Sequence, residues 1–189
     1  MKKIVHIVKT ALIVVVCGMI YAVMPQSKMK NYIQMVMLFI VGAVFLYLIG
    51  KGLLRFLKKQ IYLHSTIHRI DCMSGIEFEN CLKAHFEKMG YSVKTTPKSG
   101  DYGVDLICKK GKERFVVQAK RYQGKIGISA VQQVIGGMHY YGCEKGMVIT
   151  NSFFTKNACE LAEKSNVVLW DRNTLQKKFH IREEHHGKN

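Results

Sequence analysis

The first seventy residues contain no aspartate and no glutamate, although they carry ten of the chain's 29 lysines and arginines. All 13 acidic residues come later, so the net charge of +16 is distributed unevenly along the sequence. The chain therefore has two parts of different composition. Its 189 residues leave room for one domain of ordinary size and one smaller element.

Metal-binding and disulfide patterns are also missing. The cysteines form no C-x-x-C pair, and no histidines stand at the spacing of metal ligands. This excludes a typical zinc site or disulfide framework and favours mostly buried free thiols in a reducing compartment. The cysteines are at positions 17, 72, 81, 108, 143 and 159.

Two apolar runs near the amino end predict transmembrane helices, at about 4–24 and 32–50. The second run, "YIQMVMLFIVGAVFLYLIG", is close to the roughly 20 residues that span a bilayer core. The polar segment 25–31 between them predicts a tight turn and hence a hairpin. A signal peptide is the alternative for the first run, but "YAVMPQS" is a poor cleavage site.

Basic residues flank this hairpin and predict its orientation. Three lie at the amino end, two lie in the turn and four follow the second run within 51–59. This bias places both ends in the cytoplasm of a multi-pass cell-membrane protein. Residues 51–72 are then a basic stalk near the acidic head groups of the lipid bilayer.

The remaining sequence predicts an α/β domain at 73–178, followed by a flexible tail at 179–189. Residues 74–89 form a helix that begins with a capping box of Ser74 and Glu77. The element order αβββαβαβ predicts a mixed sheet flanked by helices. The strands are expected at 91–96, 104–109, 114–120, 146–150 and 167–171, and the other two helices at 129–141 and 155–165.

Asp105, Gln118 and Lys120 are polar residues in or beside predicted strands that are otherwise apolar. Side chains alternate along a strand, so Gln118 and Lys120 share one face, and in a hairpin Asp105 can point to the same face. Carboxylate and amide oxygens are ligands that Mg²⁺ prefers. With a lysine nearby to offset negative charge, the three residues predict phosphodiester cleavage.

These three side chains have no net negative charge together, so a further carboxylate is expected. Glu77 and Glu79 lie on the same predicted helix and cannot both face inward. Glu79 lies roughly 70° from the centre of the apolar stripe and Glu77 roughly 130°. Because Glu77 is already the capping partner, Glu79 is the better candidate for a metal ligand.

Several motifs occur in a characteristic order: "GIEFENCLKAHFEKMGYSV", "GDYGVDLI", "VVQAKRY" and "GMVITNSFFTKNACELAEKSNVVLWD". Over about residues 74–176 the sequence resembles the catalytic domain of Mrr-type (type IV) restriction endonucleases. That family belongs to the PD-(D/E)XK nucleases and uses Q-x-K in place of (D/E)-x-K. A membrane hairpin replaces the family's usual helical DNA-recognition domain, so methylated-DNA specificity has no support here.

The resemblance implies a restriction-endonuclease-like fold, DNA as the substrate and Mg²⁺ as the cofactor, with no small-molecule cofactor. The implied catalytic residues are Glu79, Asp105, Gln118 and Lys120. Of these, the first three are the implied metal ligands.

Each residue also has a structural interpretation. Asp105 could bond its own backbone in a turn, a role that better describes Asp101. Gln118 and Lys120 could form a solvated strand face, and Glu79 could pair with a lysine. These alternatives weaken when the residues are considered together with the surrounding motifs.

Further polar residues lie near the predicted site. Gln133, on the second helix of the domain, could touch the site or be held against the sheet. A group of basic residues fits contacts to the DNA backbone, which make binding depend steeply on salt; the group is Lys98, Lys109, Lys110, Lys112, Arg121 and Lys125, and Lys98, Arg121 and Lys125 are the predicted DNA-binding residues.

Three functions follow from these observations. The leading hypothesis is a membrane-anchored, Mg²⁺-dependent DNA endonuclease that restricts foreign DNA. The alternatives are an inactive nuclease fold that tethers DNA to the membrane, which the neutral Gln118 favours, and an interaction protein whose cargo is not DNA. Double-strand cutting with one site per chain requires two chains, so a homodimer is also expected.

Overall fold

The computed structural model describes residues 26–97 and 102–182. The chain divides into two compact units, Met1–Arg55 and Phe56–Asn189. The first predicted transmembrane helix, at 4–24, lies outside the described residues.

A single long helix, α1 (Gln26–Leu63), contains the second apolar run. It is the one helix in the described part of the chain that is long and apolar enough to cross a membrane. Its most apolar stretch has a mean hydropathy of 2.4 and contains no buried residue. The polar turn predicted at 25–31 is wrong from Gln26 onward. The residues after Pro25 lack a helix breaker, and a proline is tolerated where a helix starts.

The unit that begins at Phe56 is built on one sheet. Its strands are β1 (Ser92–Thr95), β2 (Leu106–Lys110), β3 (Glu113–Lys120), β4 (Lys145–Thr150) and β5 (Val167–Trp170). They lie side by side in chain order. The strands β1, β2 and β3 pair antiparallel, whereas β3, β4 and β5 pair parallel.

Helices cover both faces of this sheet. They are α2 (Ile67–Asp71), α3 (Gly75–Lys88), α4 (Ile128–Tyr141), α5 (Lys156–Glu163) and α6 (Arg172–Phe179). Residues of α2, α3 and α6 form one core with alternate residues of the strands. Residues of α4 and α5 form a second core on the other face. The predicted mixed sheet flanked by helices is confirmed.

Aromatic side chains fill the core on the α3 side. Phe86 is 1% exposed and makes ring contacts with four other aromatic residues. Apolar burial of this kind is the main favourable term in folding. The four partners are Tyr91, Phe115, Trp170 and Phe179.

The start of α3 follows the sequence closely. Ser74 accepts a hydrogen bond from the backbone of Glu77, and the Glu77 carboxylate accepts one from the backbone N–H of Ser74 at 2.8 Å. The predicted capping box is therefore present. This assigns Glu77 to the helix end and separates its role from that of Glu79.

The compact unit extends beyond the predicted domain at both ends. Lys59 forms an ion pair with Glu87 at 2.7 Å, and Tyr62 packs against the core on the α3 side. At the other end Phe179 and Ile181 are buried, although the sequence placed a flexible tail at 179–189. Both are apolar side chains that pack in the core. Residues 183–189 of the predicted tail lie outside the described part.

The described cysteines carry free thiols, and three of them are buried. Burial raises the pKa of Cys81 and of Cys108 to about 12. Both thiols therefore stay protonated near neutral pH and act as small apolar core residues.

A glycine on α4 allows the loop before β2 to approach the helix closely. A Cβ on Gly137 would lie 2.1 Å from Cγ2 of Val104 and 3.1 Å from the carbonyl oxygen of Tyr102. The neighbouring Gly136 points into open space. Of these two adjacent glycines, Gly137 is therefore the one that the packing requires.

His85 on α3 is a buried and neutral histidine. Its ring stacks on Phe179 with the centroids 4.4 Å apart, and it is 4% exposed. Burial lowers its pKa to about 4, against the opposing effect of a hydrogen bond with the backbone of Tyr62. Its Nε2 atom has no hydrogen-bond partner among the described residues.

Replacing Gly137 by alanine should lower the free energy of unfolding by about 2 kcal/mol, because the added methyl group overpacks the contact with Val104. Gly136→Ala is the matched control and should raise stability by up to about 1 kcal/mol, since it improves helix propensity in open space. Urea unfolding of the full chain in detergent, followed by the fluorescence of Trp170, measures both. Equal destabilisation would contradict this packing.

Lowering the pH from about 7 to about 4 should destabilise the domain through His85. The unfolded chain binds a proton at this residue with a pKa near 6.5, whereas the folded chain binds it only near 4. Stability is therefore lost as the pH falls, by at most about 3 kcal/mol. His85→Phe keeps a ring to stack on Phe179 and should unfold with a weaker pH dependence in the same urea experiment. An identical pH dependence for both proteins would refute this assignment.

Candidate active site

The carboxylate of Asp105 lies where the pairing of β2 with β3 ends. The last paired residues are Leu106 and Val117, and the backbone N–H of Asp105 donates to the carbonyl of Val117 at 2.9 Å. Its Oδ2 atom accepts a hydrogen bond from the backbone N–H of Ala119 at 2.6 Å. The side chain thus continues the ladder in place of a backbone carbonyl, and this fixes the position of the carboxylate.

Gln118 contacts the same carboxylate oxygen. Its Nε2 donates to Asp105 Oδ2 at 2.7 Å, and the residue is only 4% exposed. Since a carboxylate can only accept here, the amide must turn its nitrogen to Asp105. Its oxygen, Oε1, is then buried and has no hydrogen-bond partner among the described residues. A buried acceptor without a partner costs about 1–3 kcal/mol, which a ligand with a positive charge would recover.

The loop before β2 is held on both sides. Thr96 donates from its backbone N–H to the carbonyl oxygen of Asp105 at 3.1 Å, and its hydroxyl donates to the carbonyl oxygen of Val104. On the other side the ring of Tyr102 stacks on Tyr140 of α4, with centroids 3.9 Å apart. These contacts limit the movement of Asp105.

Gly103 sits in this loop with a positive φ of 73°. A Cβ there would lie 2.5 Å from Cβ of Gln133, so α4 touches the loop at this residue. Gln133 itself is exposed. The structure therefore places Gln133 beside the loop that carries Asp105.

Lys120 leaves the sheet on the same face as Gln118. Strand alternation places both with Val116, which packs in the core on the α4 side, whereas Phe115 and Val117 pack on the α3 side. Lys120 is partly buried, and it pairs with Thr150 of β4. The carboxylate, the amide and the lysine are thus near the carboxyl end of β3, the central strand of the sheet.

Glu79 comes from the other side of the sheet. It is partly buried on α3, whose Phe78 and Leu82 pack in the core opposite α4. Its side chain must reach the sheet edge from that face to join Asp105. Its role as a ligand remains a prediction.

The possible metal ligands near the carboxyl end of β3 are oxygen atoms. Within residues 26–97 and 102–182, no group of three or more His, Cys, Asp or Glu side chains could hold a metal ion. The oxygen donors near this end of β3 are the Asp105 carboxylate and the oxygen of the Gln118 amide, whose nitrogen rather than oxygen faces the carboxylate. This set suits a hard cation such as Mg²⁺ and does not suit zinc.

The basic residues predicted around the site separate in the structure. Arg121 directly follows Lys120, the last residue of β3, and Lys125 lies further along the same loop. Arg121 is partly buried, and its Nε atom has no hydrogen-bond partner among the described atoms, while Lys125 is exposed. Lys98 lies outside the described residues, as does Asp101.

The other three lysines lie at the far end of the β2–β3 hairpin, where Lys110 pairs with Glu113. Lys110 donates to the carbonyl oxygen of Met89 at 2.8 Å, and its Nζ lies 5.3 Å from the ring centre of Tyr91. The hairpin separates Lys109 and Lys110 from Asp105 by roughly 15 Å along β2. Their predicted place beside the site is wrong, because residues close in sequence lie at opposite ends of a hairpin; they are Lys109, Lys110 and Lys112.

Sequence reasoning missed a polar network next to the site. Arg172 donates to both carboxylate oxygens of Asp71, at 2.7 and 2.8 Å. Asn151 donates to Asp71 at 2.8 Å and accepts from the backbone N–H of Tyr122 at 2.8 Å. The signal that could have found these residues is the position of Asn151 and Arg172 just after β4 and β5.

The network changes the pKa of Asp71. Burial by itself raises this pKa, but hydrogen bonds from Arg172 and Asn151 and the charge of Arg172 outweigh it, so the pKa lies below its usual value. Asp71 is therefore ionised at neutral pH, and the Asp71–Arg172 pair has no net charge.

Comparisons with known proteins agree with this architecture. A family model described as restriction endonuclease, Mrr_cat, matches residues 70–179, more than half of the chain. The type IV methyl-directed restriction enzyme EcoKMrr of Escherichia coli (strain K12) is 35% identical over 81 residues, which are 41% of this chain and 27% of that enzyme. The chain thus spans about a quarter of the curated relative it matches.

Two solved structures are similar at low identity. The DNA modification-dependent restriction endonuclease AspBHI is 19% identical with a TM-score of 0.49, covering 67% of this chain and 36% of that chain. The MspJI restriction endonuclease in complex with a 27-mer oligonucleotide is 24% identical with a TM-score of 0.36, covering 51% of this chain and 25% of that chain. The family match over residues 70–179 shows that this chain belongs to the Mrr-type restriction endonuclease catalytic-domain family.

Proposed function

We propose that this protein is a membrane-anchored DNA endonuclease that hydrolyses phosphodiester bonds with the help of Mg²⁺. The hydrogen bond from Gln118 to Asp105, at 2.7 Å, carries the proposal, because it leaves the Gln118 oxygen buried without a described partner. The family of residues 70–179 supports the reaction class.

Asp105 and Gln118 would hold the cation, with Glu79 as the third ligand. Asp105 offers a carboxylate and Gln118 an amide oxygen, which are hard ligands of the kind that Mg²⁺ binds. The chemistry that a divalent cation supplies at such a site is polarisation of a phosphoryl oxygen and stabilisation of negative charge. The Ala119 N–H, at 2.6 Å, holds the carboxylate in position before any ligand arrives.

Lys120 would stabilise the charge that develops on the phosphate. Its ammonium group is carried on the same strand face as Gln118, two residues further along β3. A fixed cation at a partly buried position stabilises the transition state more than it would in water. Lysine is suited to this task as a compact point charge.

DNA is the proposed substrate. EcoKMrr is by its name a methyl-directed restriction enzyme, and MspJI was solved with an oligonucleotide. The chain has a net charge of +16, and Arg121 follows Lys120 directly with Lys125 later in the same loop, where both can bind backbone phosphates. Lys98 is a further proposed contact. Cutting of both strands with one site per chain would require a homodimer.

A tethering protein without activity is the second candidate. The neutral Gln118 and the lack of a three-residue metal cluster in the described part favour it. Such a protein would bind DNA with the same salt dependence but leave it intact.

The helix α1 would anchor the enzyme in the membrane. The four basic residues within 51–59 would place the domain that follows in the cytoplasm. Anchoring confines the enzyme to DNA that touches or crosses the membrane, which fits a role against incoming foreign DNA.

The full chain in detergent should cut plasmid DNA when Mg²⁺ is present and should stop when EDTA removes it. Asp105→Asn and Lys120→Ala should each reduce the cutting rate by about 100-fold or more, since each removes a charge that acts in the transition state. Agarose gel electrophoresis over time gives the rates.

Lys109→Ala is the matched control for this experiment, because Lys109 is exposed at the far end of the hairpin. It should cut like the wild type. Equal rates for the wild type, Asp105→Asn and Lys120→Ala would remove the catalytic assignment. Salt-sensitive DNA binding without cutting would favour the tethering protein.

Membrane anchoring predicts that the protein stays in the membrane pellet after carbonate extraction. Cytoplasmic placement predicts that the exposed Cys159 reacts with an impermeant maleimide only after the cells are lysed. Because Cys72 is exposed as well, the experiment uses a Cys17→Ser/Cys72→Ser background, in which a further Cys159→Ser identifies this signal as a loss of labelling. Release into the supernatant would argue against the anchor, and labelling of intact cells would argue against the orientation.

A further inference from the structure

A pocket of about 400 Å³ lies at the carboxyl ends of the parallel strands, next to Lys120. In open α/β sheets, ligands bind at this edge of the parallel strands. The pocket has an aromatic rim and a polar floor. Its lining includes Tyr122 and Gln123 after β3, Asn151 and Phe153 after β4, and Arg172 after β5, with Asp71 from α2.

The floor of the pocket has no net charge. Its charged lining residues among those described are Asp71 and Arg172, which form a two-bond ion pair at 2.7 and 2.8 Å. Asn151 donates to the same carboxylate at 2.8 Å. A phosphate would find no available cation here, because the Arg172 guanidinium already binds Asp71. The floor suits a neutral ligand.

The rim carries two exposed aromatic rings. Tyr122 is 58% exposed and Phe153 is 43% exposed, and neither ring contacts another described aromatic ring. Tyr122 rests against the backbone of Gly124, since a Cβ at Gly124 would lie 2.9 Å from the Tyr122 ring. The Tyr122 ring is therefore supported on one side and open on the other. Exposed π faces of this kind bind planar ligands by stacking.

The pocket is fixed to the candidate active site. Tyr122 follows Lys120 by two residues, which is at most about 7 Å along the backbone. The backbone N–H of Tyr122 donates to Asn151 Oδ1 at 2.8 Å, and Asn151 directly follows Thr150, the strand partner of Lys120. A nucleotide whose phosphate lies at Lys120 would have its base near this rim.

We propose that this pocket binds a nucleobase that has turned out of the DNA stack beside the cleaved phosphate. The inference rests on the proposed function, because it names the part of the substrate that the site holds. The base stacks on Tyr122 and Phe153, and the amide of Gln123 is available to its polar edge. A neutral planar ligand fits the uncharged floor and the aromatic rim, and the phosphates on either side remain with the basic residues after β3.

The test compares two labelled strands of equal length, oligothymidylate and a strand of abasic units, which share phosphates and differ in bases. Fluorescence anisotropy measures binding by the full chain in detergent with EDTA, so that no cutting occurs. The wild type should bind oligothymidylate about tenfold more tightly than the abasic strand. The double variant Tyr122→Ala/Phe153→Ala should lose this preference and keep its affinity for the abasic strand.

Two matched variants complete the test. Tyr122→Phe with Phe153→Tyr retains both rings and should retain the preference, whereas Gly124→Ala displaces the Tyr122 ring and should reduce it. The proposal is overturned if the wild type shows no preference or if the double alanine variant keeps it. An equal loss for both strands would also overturn it, because the rings would then act on folding. Plasmid cutting is a separate measurement, so loss of the proposed hydrolysis leaves this result readable.

Discussion

The register between β2 and β3 is the constraint on which the site depends. With Leu106 opposite Val117, the Asp105 carboxylate comes to the place where the ladder ends, and it bonds to Ala119 N–H and to the Gln118 amide. A slip of one residue would turn Gln118 toward the α3 side and separate it from Asp105. The apolar residues on both faces of β3 prevent such a slip, because each face is packed against helices.

Two polar groups near the carboxyl ends of the parallel strands differ in their hydrogen bonding. The Asp71 carboxylate receives hydrogen bonds from Arg172 and Asn151 and therefore stabilises the folded domain. The Gln118 oxygen is buried and receives none among the described residues, which costs stability. Groups that violate a local rule of this kind are characteristic of functional positions. The carboxyl ends of the parallel strands thus combine a hydrogen-bonded network with a buried acceptor that has no described partner.

Local patterns were sufficient to predict much of this molecule. Patterns of this kind depend on neighbours a few residues apart. They include the capping box at Ser74, the order of the predicted elements, and the alternation along β3 that puts Gln118 and Val117 on different faces of the sheet. The same holds for the second apolar run, whose length and composition give a helix. The nearness of Asp105 to Gln118 was also predictable, because a hairpin brings adjacent strands together.

The sequence by itself therefore determined the five strands, the helices α3, α4 and α5, the family and the division of the chain into two parts of different composition. Only the tertiary structure decided which end of the hairpin each lysine occupies, that Phe179 belongs to the core, and that Asp71 meets Arg172 across 101 positions of sequence. The same holds for Gly137, whose missing side chain matters only because Val104 approaches it. Contacts between distant segments leave no periodic signal in the chain, since they depend on how whole elements pack.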